Sequence, residues 1–181
     1  MGEASAFRAG RKPYKAIYRK DKSMAGKVKM EAKQPKENKS FIISASLQKG
    51  CYRHIQIAQD ATLDDLNCAI LQAFSFEDDH MHAFFMDNVA WSEADCYFMD
   101  PMDEEDEDNG RHTCDYQLRQ VMRVGSKFKY VFDFGYNWQF QCRVLSEKIW
   151  DAPSAEDALL DSFALVVREV GEPPPQYGEK E

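Results

Sequence analysis

The strongest constraint in this sequence is a pair of period-two runs late in the chain. Phe128, Tyr130, Phe132 and Phe134 alternate with Lys127, Lys129, Val131 and Asp133. Beyond Gly135-Tyr136-Asn137, the residues Trp138, Phe140, Cys142 and Val144 alternate with Gln139, Gln141 and Arg143. Successive side chains of a strand point to opposite faces, so each run carries one apolar face. Two such runs around a turn predict a long β-hairpin with its aromatic face on a core. Trp138 falls on the same side as Phe128, Tyr130 and Phe132 and is expected to be structural.

The rest of the chain predicts partners for that hairpin. Phe41–Leu47 reads as a strand from its β-branched and aromatic content, Gln48-Lys49-Gly50 as a turn, and Tyr52–Ile57 as the returning strand. Thr62-Leu63-Asp64-Asp65 has the signature of a helix start: a hydroxyl for the free N–H groups and acids in the positive first turn. Leu63, Leu66, Ile70, Ala73 and Phe74 then recur at helical spacing and form one buried stripe. His82–Met86 and Val89–Trp91 read as a second hairpin around Asp87-Asn88, Tyr116–Met122 as a short helix ended by Gly125, and Phe163–Val170 as another strand. Pro173-Pro174-Pro175 stops regular structure. The fold class expected is a β-rich α+β domain: a mixed sheet of hairpins, order ββαββαββ, with one main amphipathic helix packed on it.

Charge divides the chain. Residues 1–40 hold twelve Lys and Arg against four Asp and Glu, a net of +8; residues 41–181 hold eleven against 27, a net of −16. The first segment has too few large apolar residues to offset its ordering entropy and is expected to be a disordered basic arm. Residues 41–178 are expected to form the domain, with residues 100–108 as a solvated acidic loop. No run of about 18 apolar residues suggests a membrane span, and no apolar stretch follows the basic N-terminus as a secretory signal would. Five widely spaced cysteines, Cys51, Cys68, Cys96, Cys114 and Cys142, contain no CxxC pair, which fits a reducing, cytoplasmic setting.

The segment Tyr130-Val131-Phe132-Asp133-Phe134-Gly135-Tyr136-Asn137-Trp138 resembles the late aromatic hairpin of the plasmid pRiA-type ORF-three-like family, also labelled transposon passenger TnpR-like. Three further segments agree in order: Tyr52-Arg53-His54-Ile55, Thr62–Leu66 running on to Ile70–Phe74, and Asp78-Asp79-His80-Met81-His82-Ala83-Phe84. The resemblance covers about residues 41–178. It implies a fold and an association with plasmids and mobile elements, and no reaction. Three positions depart from the family pattern: Tyr136 stands where the family has Asp, Tyr52 stands for Trp, and the C-terminal loop is reduced to Gly171–Gly178.

Candidate chemistry is sparse. In an extended segment His80 and His82 project to one face; with Asp79, or with His112 and Cys114, they are candidate zinc ligands, though the spacing matches no strong zinc signature. Asp133 is a candidate binding or catalytic carboxylate with His80 as partner, but Asp beside Phe-Gly is more commonly a turn residue that accepts backbone N–H bonds. Cys68 and Cys142 read as small core residues. There is no Gly-x-Ser-x-Gly elbow, phosphate-cradling Gly loop or dinucleotide fingerprint, and no cofactor is implied. In the arm, Arg8, Arg11, Lys12, Lys15, Arg19 and Lys20 are candidate nucleic-acid contacts. The function expected is a non-catalytic interaction domain that binds an unidentified protein or, through the arm, nucleic acid, with no membrane contact. The alternative is an undescribed enzyme or metal-binding protein built on Asp133 with His80 and His82.

Overall fold

The computed structural model describes residues 38–99, 110–151 and 163–178. Residues 1–37 of the arm, with the six cations named above, and the whole acidic block 100–108 lie outside them. Among the described residues there are seven strands: β1 (Lys39–Gln48), β2 (Cys51–Ala58), β3 (His82–Phe85), β4 (Cys96–Phe98), β5 (Lys127–Phe132), β6 (Trp138–Ile149) and β7 (Ala164–Val170). The helices are α1 (Leu63–Ala73) and α2 (Leu118–Val121), with a 3-10 turn at Thr113–Asp115. The strands make one sheet in the order β4-β3-β5-β6-β1-β2-β7.

Each strand pairing in that sheet is antiparallel, so the sheet is not mixed as the sequence suggested. The order ββαββαββ is one strand short, because β7 follows the β5–β6 hairpin and pairs with β2. β1 begins at Lys39, two residues ahead of the boundary read from composition. The second hairpin also differs. β3 pairs with Cys96–Phe98, in register from Ala83↔Phe98 to Phe85↔Cys96, and Val89–Trp91 belongs to the connection between them. Asn88 and Trp91 both adopt positive φ, at 67° each, which a strand does not allow.

The aromatic hairpin forms in the expected register, with Phe128↔Cys142, Tyr130↔Phe140 and Phe132↔Trp138. Phe128, Tyr130, Phe132 and Phe140 are buried in the main core with Phe41, Ile43, Ile55, Ile57 and the α1 residues Leu63, Leu66 and Ile70. Helix α1 is capped as its sequence predicts. The Thr62 hydroxyl accepts from Asp65 N at 3.1 Å, and the Asp65 carboxylate accepts from Thr62 N at 2.7 Å. A second, smaller cluster lies on the other face of the sheet around Ala83, Phe85 and Val131, with Cys96, Phe98 and Phe134 packed on it. β3 is therefore buried on both faces.

One buried cation ties the layers together. Arg53 of β2 is 1% exposed. Its Nε donates to the carbonyl of Ala73, the last residue of α1, at 2.9 Å. Its Nη1 donates to the carbonyls of Tyr52, Val170 and Gly171 at 3.0–3.1 Å. Its Nη2 lies 3.1 Å from Glu169 Oε1, and the guanidinium carbon sits 4.8 Å from the centre of the Phe74 ring. Gly171, at φ 73°, admits no other residue, since an added Cβ would stand 2.1 Å from the Gly50 carbonyl oxygen. The C-terminal segment thus leaves the sheet at a fixed point.

Trp138 packs edge-on against Phe76 at 5.1 Å and is half-buried on the main core. Trp138→Ala is expected to cost about 2–4 kcal/mol, slightly below the range for a fully buried aromatic ring, measured by urea unfolding. An unchanged midpoint would take this ring out of the core.

Candidate functional site

Three segments meet at the end of the sheet where β5 turns into β6: the turn Asp133–Asn137, the loop Glu77–Met81 that leads into β3, and the C-terminal tail Gly171–Gly178. Asp133 has φ 51° and Asn137 φ 57°. Asp and Asn tolerate this left-handed region because their short polar side chains bond to local backbone. Here Asp133 Oδ1 accepts from Gly135 N at 3.0 Å and Tyr136 N at 3.1 Å. The left-handed residue also breaks the strand alternation, so Phe134 packs against Trp91 and Phe98 on the second face and does not continue the row of Phe132.

The turn role does not exhaust Asp133. It is buried, and its Oδ2 makes no hydrogen bond among the described residues but lies 3.5 Å from His80 Nε2. One carboxylate oxygen thus serves the turn and the other faces His80. His80 is about half-exposed, stands 3.9 Å from Asp79 Oδ1, and is edge-on to the rings of Phe132 and Tyr177 at 6.4 and 6.0 Å.

The tail completes the arrangement. Gln176 and the Glu77 backbone bond reciprocally: Glu77 N donates to Gln176 Oε1 at 2.6 Å and Gln176 Nε2 donates to Glu77 O at 2.9 Å. The Tyr177 hydroxyl donates to Asp79 Oδ1 at 2.7 Å. Lost hydration, the bond to Asp79 and the nearby charges of Asp79 and Asp133 raise the Tyr177 pKa above the ordinary phenol value. Tyr136, 60% exposed, stands edge-on to Tyr177 at 5.2 Å. The result is a pair of tyrosines beside His80 and two carboxylates, Tyr136 exposed and Tyr177 half-buried.

His82 does not join this group. It begins β3 facing the core, 1% exposed, with Nε2 at 3.1 Å from Thr113 Oγ1 and 3.6 Å from Asp64 Oδ1. Burial lowers its pKa to about 4, so the ring is neutral at pH 7. Beside it Tyr130 donates to Asn67 Oδ1, and Asn67 Nδ2 donates to Asp78 Oδ2 at 3.1 Å. Cys68 Sγ lies 3.6 Å from the same oxygen. Burial, the charges of Asp78 and Asp64 and the bond to Asp78 push the Cys68 thiol up to about 12, so it stays protonated and is no nucleophile.

Of the candidate ligands, His112 precedes the 3-10 turn and Cys114 lies within it, and it is Thr113 that reaches His82. Among the described residues no group of three His, Cys, Asp or Glu side chains is placed to hold a metal ion. Three concavities on the described surface are lined by other residues than His80, His82 and Asp133. No described helix is long and apolar enough to cross a membrane.

The architecture is an α+β fold on a single antiparallel sheet, with its polar site at one sheet end. The chain belongs to the family described as Plasmid pRiA4b ORF-3-like protein, which matches residues 43–171. It is similar in fold to the crystal structure of MM3350, a protein of unknown function from Methanosarcina mazei Go1. That match has a TM-score of 0.57 at 22% identity and covers 73% of this chain and 69% of that one. No curated protein matches the chain. The family and this structural relative establish a fold whose function is uncharacterised.

The depressed His82 pKa makes a signed prediction. The unfolded imidazole binds a proton near its ordinary pKa of about 6.5, and the folded one only near 4. Between these values the unfolded state holds more protons, so stability present above pH 6.5 is lost as pH falls, by up to about 3 kcal/mol. Thermal unfolding across pH 4–7 should show a shallower slope in His82→Gln than in wild type. Equal slopes would mean that the imidazole is not buried in neutral form.

Proposed function

We propose that the domain is a non-catalytic interaction module whose contact surface is the sheet end formed by Tyr136, Tyr177, His80 and Asp79. The observation that supports this most is the pair of exposed Tyr136 and half-buried Tyr177, beside the carboxylates of Asp79 and Asp133. Exposed tyrosine faces attract lysine and arginine side chains, and adjacent carboxylates add charge complementarity. A protein partner bearing a cationic side chain on an aliphatic surface fits that chemistry. Two of the positions at which this sequence departs from the family pattern, Tyr136 and the shortened tail, meet here, which suits a partner particular to this chain. The alternative, catalysis by His80 with Asp133, has a hydrogen-bond-capable pair to start from but no activated nucleophile beside it among the described residues.

A second reading concerns the arm. Its +8 beside a −16 body favours Arg8, Arg11, Lys12, Lys15, Arg19 and Lys20 as the contacts for any nucleic acid, since an acidic domain repels phosphates.

Site-specific photo-crosslinking separates these surfaces. A photo-reactive residue at position 136 is expected to capture a protein partner, and one at Ile149, 76% exposed, is not. With that partner in hand, Tyr136→Ala should weaken binding about two- to fivefold, the scale of one exposed cation–π contact. Capture at 149 alone, or undiminished binding by Tyr136→Ala, would refute the surface. Nucleic-acid binding should be lost on deletion of residues 1–37 and fall steeply with salt; binding retained by the deleted chain would refute the arm.

A further inference from the structure

At the other end of β5 the charge pattern reverses. Lys127, the first residue of β5, stands directly opposite Arg143 of β6 in the antiparallel register. Like charges at directly opposed positions destabilise a sheet. Both side chains are exposed, and neither is within ion-pair distance of a carboxylate among the described residues. Arg123 is in the same condition. The turn Arg123–Ser126 brings it back towards Lys127: Arg123 N donates to Ser126 Oγ at 3.0 Å, and Ser126 N donates to Arg123 O at 2.9 Å. Gly125, at φ 91°, donates to Val144 O at 2.9 Å and fixes the turn on β6.

Arg123, Ser126 and Lys127 line a cavity of about 370 Å³ together with Asp95, Arg119 and Gln120, among others. Its volume is that of a small-molecule site. Its one carboxylate is already engaged, since Asp95 Oδ1 is 2.8 Å from Arg111 Nη1. Arg119 is likewise neutralised, by Asp60 at 2.7 Å. Arg123 and Lys127 remain as uncompensated cations on the cavity wall, with Arg143 across the strand from Lys127. Among the described residues no carboxylate lies within ion-pair distance of these three. Self-repulsion of this kind is relieved by a bound anion.

We propose that this cavity is a binding site for a small phosphate monoester. A guanidinium fork grips two phosphate oxygens, an ammonium supplies a compact charge, and Gln120 and Ser126 offer neutral polar groups on the same wall. A monoester is largely dianionic at neutral pH, which matches two free cations better than a monoanionic carboxylate does. The site lies apart from the tyrosine surface and does not depend on it.

The test uses the full chain, isotope-labelled and titrated with glycerol 3-phosphate and, separately, inorganic phosphate, at constant ionic strength set with chloride. Saturable shifts of the Arg123, Ser126 and Lys127 backbone amides are expected, with a Kd on the order of 1 mM or tighter. Arg123→Ala/Lys127→Ala, two exposed substitutions whose folding is checked by thermal unfolding, should weaken binding at least about tenfold, the effect of a 1.4 kcal/mol loss. Equal binding of both probes assigns the site to phosphate itself; tighter glycerol 3-phosphate binding assigns it to the ester. The proposal is overturned by the absence of saturable shifts at about 10 mM, by shifts that survive in the double variant, or by binding of an oligonucleotide at these amides where neither small probe binds.

Discussion

Arg53 is the interaction on which the arrangement of this protein depends. A guanidinium taken out of water costs several kcal/mol unless its donors find partners. Here four backbone carbonyls, the Glu169 carboxylate and the face of Phe74 provide them. The carbonyls belong to the C-terminus of α1, to β2 itself and to the end of β7. Helix carbonyls at that end carry partial negative charge and lack intrahelical donors, so a cation there is doubly suited. One side chain thereby fixes the helix against the sheet, holds the edge strand and sets where the tail begins.

The site at the sheet end follows from that placement. The tail leaves Gly171 in a direction fixed by the contact with Gly50 and reaches the loop at Glu77 within a few residues. Gln176 and Tyr177 then hold Glu77 and Asp79, and the loop carries His80 to Asp133. Asp133 is prepared separately by its own turn, where one oxygen is spent on Gly135 and Tyr136. The surface is assembled from three segments distant in sequence.

Elements governed by local rules were legible in the sequence. The β5–β6 hairpin, the α1 stripe and its Thr62 cap are set by period, propensity and nearby hydrogen bonds. β4 was misplaced because Val89–Trp91 has the apolar content of a strand, while the left-handed backbone at Asn88 and Trp91 is invisible to composition. The role of Arg53 carried a signal: in the alternation of Tyr52–Ile57 it falls in phase with Ile55 and Ile57, the core side. The His80–Asp133 pair was legible because both lie beside turns, but His82 left it once β3 began and its phase pointed inward. Gln176 and Tyr177, after three prolines, offered no local sign, since their partners lie about a hundred residues away.

The central claim is that Arg53, through Gly171, holds the tail that builds the sheet-end surface. Arg53→Lys keeps the charge but loses the fork that serves several carbonyls at once. Amide hydrogen exchange in this variant tests the claim directly. Glu77 N, bonded to Gln176, should lose protection, while Gly135 and Tyr136, bonded to Asp133, should keep theirs. Protection at Glu77 equal to wild type would contradict the account, because the tail would then dock without its anchor.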